Sequence, residues 1–202
     1  IESLENTRPR LNSAVKLADN PVIKRDKPWE GSDLRIAWRV FFDQRLGKFR
    51  MRYSSADYRT EGRNEKGEVN VVFDSPAGVS KRIICEAFSD DGINWVKPEL
   101  GLVEFEGSKR NNIIPASSHM GYFFQDLHET DPNKRYKSFL RTGSYAGNGM
   151  TFSLFYSPDG YQWTPYEGNP VIDTGDQHGR WGPSEFLGWD PIRKTYAVHM
   201  EN

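Results

Sequence analysis

The stretch Ser89–Trp95, with the sequence SDDGINW, returns 68 residues later as Ser157–Trp163, with the sequence SPDGYQW. An apolar run precedes each copy, Ile83 to Phe88 in the first case and Phe152 to Tyr156 in the second. This order predicts a strand, a tight Asp-Gly turn and a tryptophan that packs the next layer. Repetition of such a block predicts an architecture built of repeated units.

Two further elements repeat around this block. The tetrapeptide Asn-Pro-Val-Ile occupies Asn20–Ile23 and again Asn169–Ile172. A hairpin pattern, in which an apolar strand passes through an Asp-containing turn into a strand with alternating aromatic residues, occurs three times. Its copies span Val40–Tyr53, Tyr122–Phe139 and Phe186–Val198. Period-2 alternation in the second strand of each copy predicts half-buried sheet.

The order of these elements predicts the fold class. Each unit holds a hairpin, a strand with its Asp-Gly turn and a short outer strand, which makes four strands in about 60 to 85 residues. Four-stranded units repeated around an axis describe a β-propeller. A β-sandwich also uses short strands and turns, but it has no reason to repeat three elements in one order. We therefore expect an all-β protein, a β-propeller of four-stranded blades.

The number of units predicts how the chain is organised. Residues 1–19 carry no repeat element and are expected to form an N-terminal arm, whereas 20–202 form a partial propeller. Two units are complete and the third stops after its inner hairpin near His199, about two and a half blades of an expected five. Open, apolar sheet edges would remain. We therefore expect further blades, supplied by a longer form of this chain or by a partner chain.

Composition excludes several classes of function. The 27 Lys and Arg residues nearly balance the 28 Asp and Glu residues, for a net charge of −1. Such a chain has no field of one sign with which to bind nucleic acid or an anionic membrane. Cys85 is the one cysteine, so neither an intramolecular disulfide nor a cysteine-based zinc site is available. The charged stretch 59–69 is predicted to be an exposed loop.

The run Ser89–Ile113 resembles a segment of bacterial proteins related to five-bladed propeller glycoside hydrolases, the invertase- and arabinanase-like group. The resemblance covers about residues 20 to 200. It implies an oligosaccharide or polysaccharide as ligand and favours a secreted or periplasmic location. The chain departs from the group in three motifs. The Asn-Asp-Pro-Asn-Gly signature is absent, Arg25-Asp26-Lys27 lacks a proline and Cys85-Glu86 reverses a Glu-Cys pair.

The resemblance also implies carboxyl groups at the starts of the inner strands, where the blades of such enzymes converge on a funnel. Glycoside cleavage needs one carboxylic acid and one carboxylate, with pKa values that their surroundings push apart. Carried over by position, Asp33 is the base or nucleophile of the first blade and Glu185 is the general acid. The acids near the first strand of each unit are Asp26, Glu30 and Asp33, then Asp126, then Asp173, Asp176 and Glu185.

Other interpretations of these acids stay open. With 28 acids in the chain, several must fall near strand ends by chance. Asp43 and Asp190 recur at equivalent hairpin turns and are predicted to bond their own backbone. Asp91 and Asp159 are likewise predicted to be structural, and Glu86 is ambiguous.

Four side chains are candidates for sugar binding. Trp29 and Trp181 lie in loop contexts where a ring could stack against a sugar, although core packing is the alternative. His178 and Arg180 precede Trp181 and could bond hydroxyl groups. No cofactor or metal site is indicated, because the four histidines lack His-Glu-x-x-His spacing. Oxygen ligands suit a structural calcium ion, but no Asp-rich loop specifies one.

The sequence thus favours a carbohydrate-active propeller that hydrolyses glycosidic bonds by paired-carboxylate catalysis. The alternative is a non-catalytic propeller that binds a glycan or completes its blades with a partner chain.

Overall fold

The computed structural model describes residues 10, 12–56, 58–63, 65, 69–73, 83–115, 122–142, 151–174 and 185–199. Thirteen strands and one turn of 3-10 helix lie within these residues. In chain order they are β1 (Asp33–Asp43), β2 (Lys48–Ala56), β3 (Tyr58–Arg63), β4 (Val69–Phe73), β5 (Ile83–Ser89), β6 (Trp95–Val96), β7 (Tyr122–Gln125), the 3-10 turn (Pro132–Lys134), β8 (Tyr136–Arg141), β9 (Thr151–Ser157), β10 (Thr164–Pro165), β11 (Ile172–Asp173), β12 (Glu185–Asp190) and β13 (Thr195–His199). In this part of the chain, no helix is long and apolar enough to cross a bilayer.

The strands form antiparallel sheets that follow the predicted repeat. The first unit is a four-stranded sheet in the order β1-β2-β5-β6, and the second is β7-β8-β9-β10 with β11 also paired to β9. The third unit is the hairpin β12-β13. The all-β prediction is therefore confirmed, and the strands form antiparallel sheets. The propeller arrangement and the number of blades stay predictions.

One sequence prediction in this region is wrong. The charged stretch 59–69 was expected to be a loop, but β3 and β4 pair there as an antiparallel hairpin inserted between β2 and β5. The three valines of β4 explain why this stretch is a hairpin and not a loop, since β-branched residues favour extended backbone.

Both Asp-Gly turns have the predicted structure. The carboxylate of Asp91 accepts the backbone N–H groups two and three residues on at 2.8 and 2.7 Å, and that of Asp159 does so at 2.7 and 2.9 Å. The glycines that follow have φ values of +77° and +85°, which favour glycine over residues with a Cβ. Trp95 and Trp163 each donate their indole N–H to the carbonyl of that glycine, at 3.1 and 3.0 Å. These residues are structural, as predicted.

A second repeated contact joins each unit to the next. Asp43, at the hairpin turn of the first unit, accepts backbone N–H groups of its own turn and also the Tyr136 hydroxyl of the second unit at 2.7 Å. Asp126, at the same turn of the second unit, accepts the Tyr196 hydroxyl of the third unit at 2.5 Å. The two tyrosines occupy the same position in their hairpins. Tyr136 pairs with Gln125, the residue before Asp126, and Tyr196 pairs with Trp189, the residue before Asp190. We call this contact the Asp–Tyr link.

Replacing Tyr136 by Phe is expected to lower the free energy of unfolding by about 1–3 kcal/mol, because buried Asp43 loses a donor to its charged oxygen. Tyr196→Phe is expected to cost less, since Tyr196 is 38% exposed. Urea unfolding of both variants measures these changes. The matched control is Tyr156→Phe, whose ring lies beside Lys134 Nζ. A Tyr136→Phe protein as stable as this control would contradict the role of the link.

Candidate functional site

The two predicted catalytic acids begin the first strands of their units. Asp33 is the first residue of β1 and Glu185 is the first residue of β12. These strands are arranged side by side with β7 between them, since β1 contacts β7 and β7 contacts β12. The two hairpins differ in length, because Asp33 pairs with a residue eight positions beyond its hairpin turn and Glu185 pairs with one four positions beyond its own.

Asp33 has a charged neighbour on its own strand. Its carboxylate pairs with the guanidinium of Arg35, two residues on and therefore on the same face of β1. The side chain of Asp33 is 16% exposed. The side chain of Glu185 lies outside the described residues, as do His178, Arg180 and Trp181, so their predicted roles stay predictions.

Trp29 packs against the core of the first unit. Its indole N–H donates to Asn112 Oδ1 at 2.8 Å, and its ring meets the Phe105 ring edge-on with centroids 6.1 Å apart. It also contacts the buried cluster around Met51 and Cys85. The packing interpretation accounts for these contacts, and sugar stacking on Trp29 stays a prediction.

Glu30, which the sequence placed among the acids, is fully buried in a polar network. Its carboxylate accepts the Tyr53 hydroxyl at 2.6 Å and the backbone N–H groups of Asp26 and Lys27 at 2.9 and 3.1 Å. Lys97 Nζ lies 2.6 Å from its Oε1 and 2.9 Å from its Oε2. A buried charge is tolerated only with such compensation. Glu30 therefore holds the loop that leads into β1, whereas the side chain of Asp26 is 60% exposed and that of Asp33 is 16% exposed.

A chain of hydrogen bonds continues beneath this loop. Asn112 Nδ2 donates to the Tyr53 hydroxyl oxygen at 2.7 Å, and the Gly31 N–H donates to Ser55 Oγ at 2.7 Å. Burial raises the pKa of Tyr53 well above its usual value, and the neighbouring Cys85 and Glu30 raise it further. The phenol is therefore protonated and donates to Glu30. Asp33 thus follows directly on a loop fixed at both its backbone and its side chains.

Asp33 and Glu185 share a sequence pattern in the residues that precede them, which the repeats described above do not include. Trp29 stands four residues before Asp33, and Trp181 stands four residues before Glu185. A serine, Ser32 or Ser184, directly precedes each acid. The shared pattern Trp-x-x-Ser-acid becomes visible when both sequences are aligned at the starts of β1 and β12. Asp33 and Glu185 are thus equivalent in this sequence pattern, although their registers relative to the hairpin turns differ by four residues.

Glu86, ambiguous in the sequence, lies between the first two units. It is fully buried and accepts Arg50 Nε at 2.6 Å, Arg52 Nε at 3.3 Å and the Tyr161 hydroxyl. The two guanidinium groups in turn donate to the backbone carbonyls of Asp159 and Gly160. Burial alone would raise the pKa of Glu86, but the two arginines hold it below its usual value. This arginine–glutamate cluster fixes the second Asp-Gly turn onto the first unit, a structural role.

Cys85 is fully buried, and burial raises the pKa of its thiol to about 12. Because the thiolate is the reactive form, we expect no reaction of native protein with Ellman's reagent at pH 8. The same protein unfolded in guanidinium is expected to release one equivalent of chromophore, with Cys85→Ala as the blank. Fast reaction of the native protein would contradict the described burial.

Metal ligands are not gathered in the part of the chain that the structure describes. No group of three or more His, Cys, Asp and Glu side chains there is placed to hold an ion. A structural calcium ion therefore stays a prediction, without ligands among these residues.

Comparison with known proteins does not assign the chain to a family. No protein-family model, no curated protein and no solved structure matches the chain.

Proposed function

We propose that this chain is part of a carbohydrate-active β-propeller that hydrolyses glycosidic bonds, with Asp33 and Glu185 as its paired carboxyl groups. One observation carries the proposal: each acid lies on the first strand of its unit and follows the same Trp-x-x-Ser pattern. In a propeller, the first strands surround the axis, so that the segments leading into them face a common funnel.

The Asp–Tyr link supports the propeller arrangement. Equivalent residues make the contact from the first unit to the second and from the second to the third. A contact used twice in succession favours one constant rotation from unit to unit, which generates a ring when continued. A sandwich packs two sheets face to face and gives no reason for this succession.

The two acids would divide the chemistry between them. In the proposed mechanism, Glu185 protonates the oxygen of the leaving sugar and Asp33 acts as base or nucleophile on the opposite side. The anchored loop 26–31 would keep Asp33 in place while the substrate binds.

The register favours a second candidate function, glycan binding without hydrolysis. Paired catalytic carboxyl groups lie about 5–9.5 Å apart, and the four-residue difference between the registers of Asp33 and Glu185 in their hairpins favours a wider separation. A third acid at the height of one of them would restore the geometry for hydrolysis. Without such an acid, the same funnel would bind a sugar and leave it intact.

One pair of assays separates these functions. The full-length protein is incubated with a panel of oligosaccharides and polysaccharides, and new reducing ends and heats of binding are measured in parallel. Release of reducing sugar supports the hydrolase. Heat of binding without product supports the binding function, and the absence of both overturns the two candidates together.

A further inference from the structure

A groove of about 580 Å³ lies between the segment Asp19–Lys27 and the outer strand of the first unit. Its apolar lining includes Val22, Ile23 and Trp95, and its polar lining includes Asn94. The strand beside it, β6, is the last in the order β1-β2-β5-β6. The groove therefore lies at the opposite edge of the sheet from β1 and Asp33.

The repeated tetrapeptide Asn-Pro-Val-Ile takes different places in its two copies. In the second unit, the Asn169 amide makes two hydrogen bonds of 2.8 Å with the backbone of Leu154, and the Val171 N–H donates to Phe152 at 2.9 Å. This copy is thereby hydrogen-bonded onto β9. Asn20, in the first copy, donates to the Leu17 carbonyl of its own segment at 3.2 Å. That segment lines the groove from the side opposite the strand.

The charges of the groove balance one another. Lys97 Nζ is held by Asp26 at 2.6 Å and by Glu30, and its side chain is only 6% exposed. The remaining charged side chains of the lining are Asp19, Lys24 and Lys27, of both signs. A strongly charged ligand would meet repulsion as well as attraction here, because like charges disfavour each other at close range.

We infer that this groove is a second carbohydrate subsite, which takes a neutral oligosaccharide of about two or three sugar units. Its volume falls in the range of small-molecule sites, roughly 300–1,000 Å³. Ammonium groups and carboxylates of the rim can donate to and accept from sugar hydroxyls, while Val22 and Ile93 offer an apolar surface to the C–H faces. The choice of carbohydrate as the ligand class rests on the proposed function.

Titration calorimetry with maltotriose, xylotriose and arabinotriose tests the inference on the full-length protein. The variants Lys24→Ala and Lys27→Ala are expected to weaken binding at the groove about tenfold, since each removes a charged donor from its lining. The matched control is Lys109→Ala, an exposed lysine outside the lining, and it should bind like the wild type. Ile93→Arg, which fills the groove from an exposed position, should abolish this binding event and keep hydrolysis at the funnel.

The experiment distinguishes an error in the proposed sugar subsite from an error in the proposed function. Trisaccharide binding that all three groove variants retain would overturn the second subsite and leave the funnel untouched. No binding of any trisaccharide together with no product release would overturn both. Loss of binding in the groove variants, with hydrolysis unchanged, is the expected result. Circular dichroism of each variant verifies that the loss does not come from unfolding.

Discussion

Replacing Glu86 by Gln is expected to lower the free energy of unfolding by about 3–5 kcal/mol. The substitution keeps the shape of the side chain but removes the negative charge that compensates Arg50 and Arg52, both about 1% exposed. Burial lowers the pKa of Arg52 to about 10 even with Glu86 in place. Without the carboxylate, both guanidinium groups would be buried with less compensation, and the second Asp-Gly turn would lose part of its anchor.

The control for this experiment is Glu99→Gln. Glu99 is exposed and pairs with the still more exposed Arg110 at 3.1 Å, so the loss of its charge should change the free energy of unfolding by about 0.5 kcal/mol or less. Equal denaturation midpoints for the Glu86→Gln and Glu99→Gln proteins would contradict the structural role of the arginine–glutamate cluster.

The same carboxylate makes stability depend on pH. Its pKa is lower in the folded protein than its ordinary value of 4.5, so the folded state favours the ionised form. The stabilisation is complete above the unfolded value and is lost as the pH falls below it towards the folded value. The stability difference between wild type and Glu86→Gln should therefore narrow on acidification. A difference that widens between pH 5 and pH 3 would contradict this linkage.

Replacing Asp33 by Asn is expected to lower the rate of glycoside hydrolysis by about 100-fold or more. The amide has nearly the shape of the carboxylate but can act neither as a base nor as an anionic nucleophile. Binding of substrate should change far less than turnover, because the hydrogen-bonded loop before Asp33 is kept. The measurement is kcat and KM for the substrate that the panel identifies.

Asp90→Asn is the control for Asp33→Asn. Asp90 is exposed at the first Asp-Gly turn, where it pairs with Lys48, and its amide variant should hydrolyse sugar at the wild-type rate. Undiminished kcat in the Asp33→Asn protein would remove Asp33 from the mechanism. Full binding without any hydrolysis by the wild type would favour the glycan-binding function instead.

Local hydrogen bonding explains what could be predicted from the sequence. Asp91 and Asp159 bond backbone groups only two and three residues away, so the short repeat SxDGxxW carries the whole turn. The prediction that Asp43 and Asp190 bond their own turns is confirmed for the same reason. The all-β class followed from these turns together with the period-2 alternation of the strands.

Long-range pairing explains what could not be predicted. Glu86 meets Arg50 across 36 positions and Tyr161 across 75, and Glu30 meets Lys97 across 67. The sequence around these charged residues does not predict their burial, because charged side chains usually lie at the protein surface unless a distant partner compensates them. The height of Asp33 relative to Glu185 depends on the strand pairing and on the irregularity between Ile36 and Val40, which the residue pattern does not specify.

A crystal structure of the full-length protein is the most direct test of the central claim that these units belong to a propeller. In a propeller, successive units are related by one constant rotation about a common axis, roughly 45–90° for the usual four to eight blades. The Asp43–Tyr136 and Asp126–Tyr196 links should both be present, and Asp33 and Glu185 should face the axis. Two sheets packed face to face, without a common axis for the three units, would show that the protein is not a propeller.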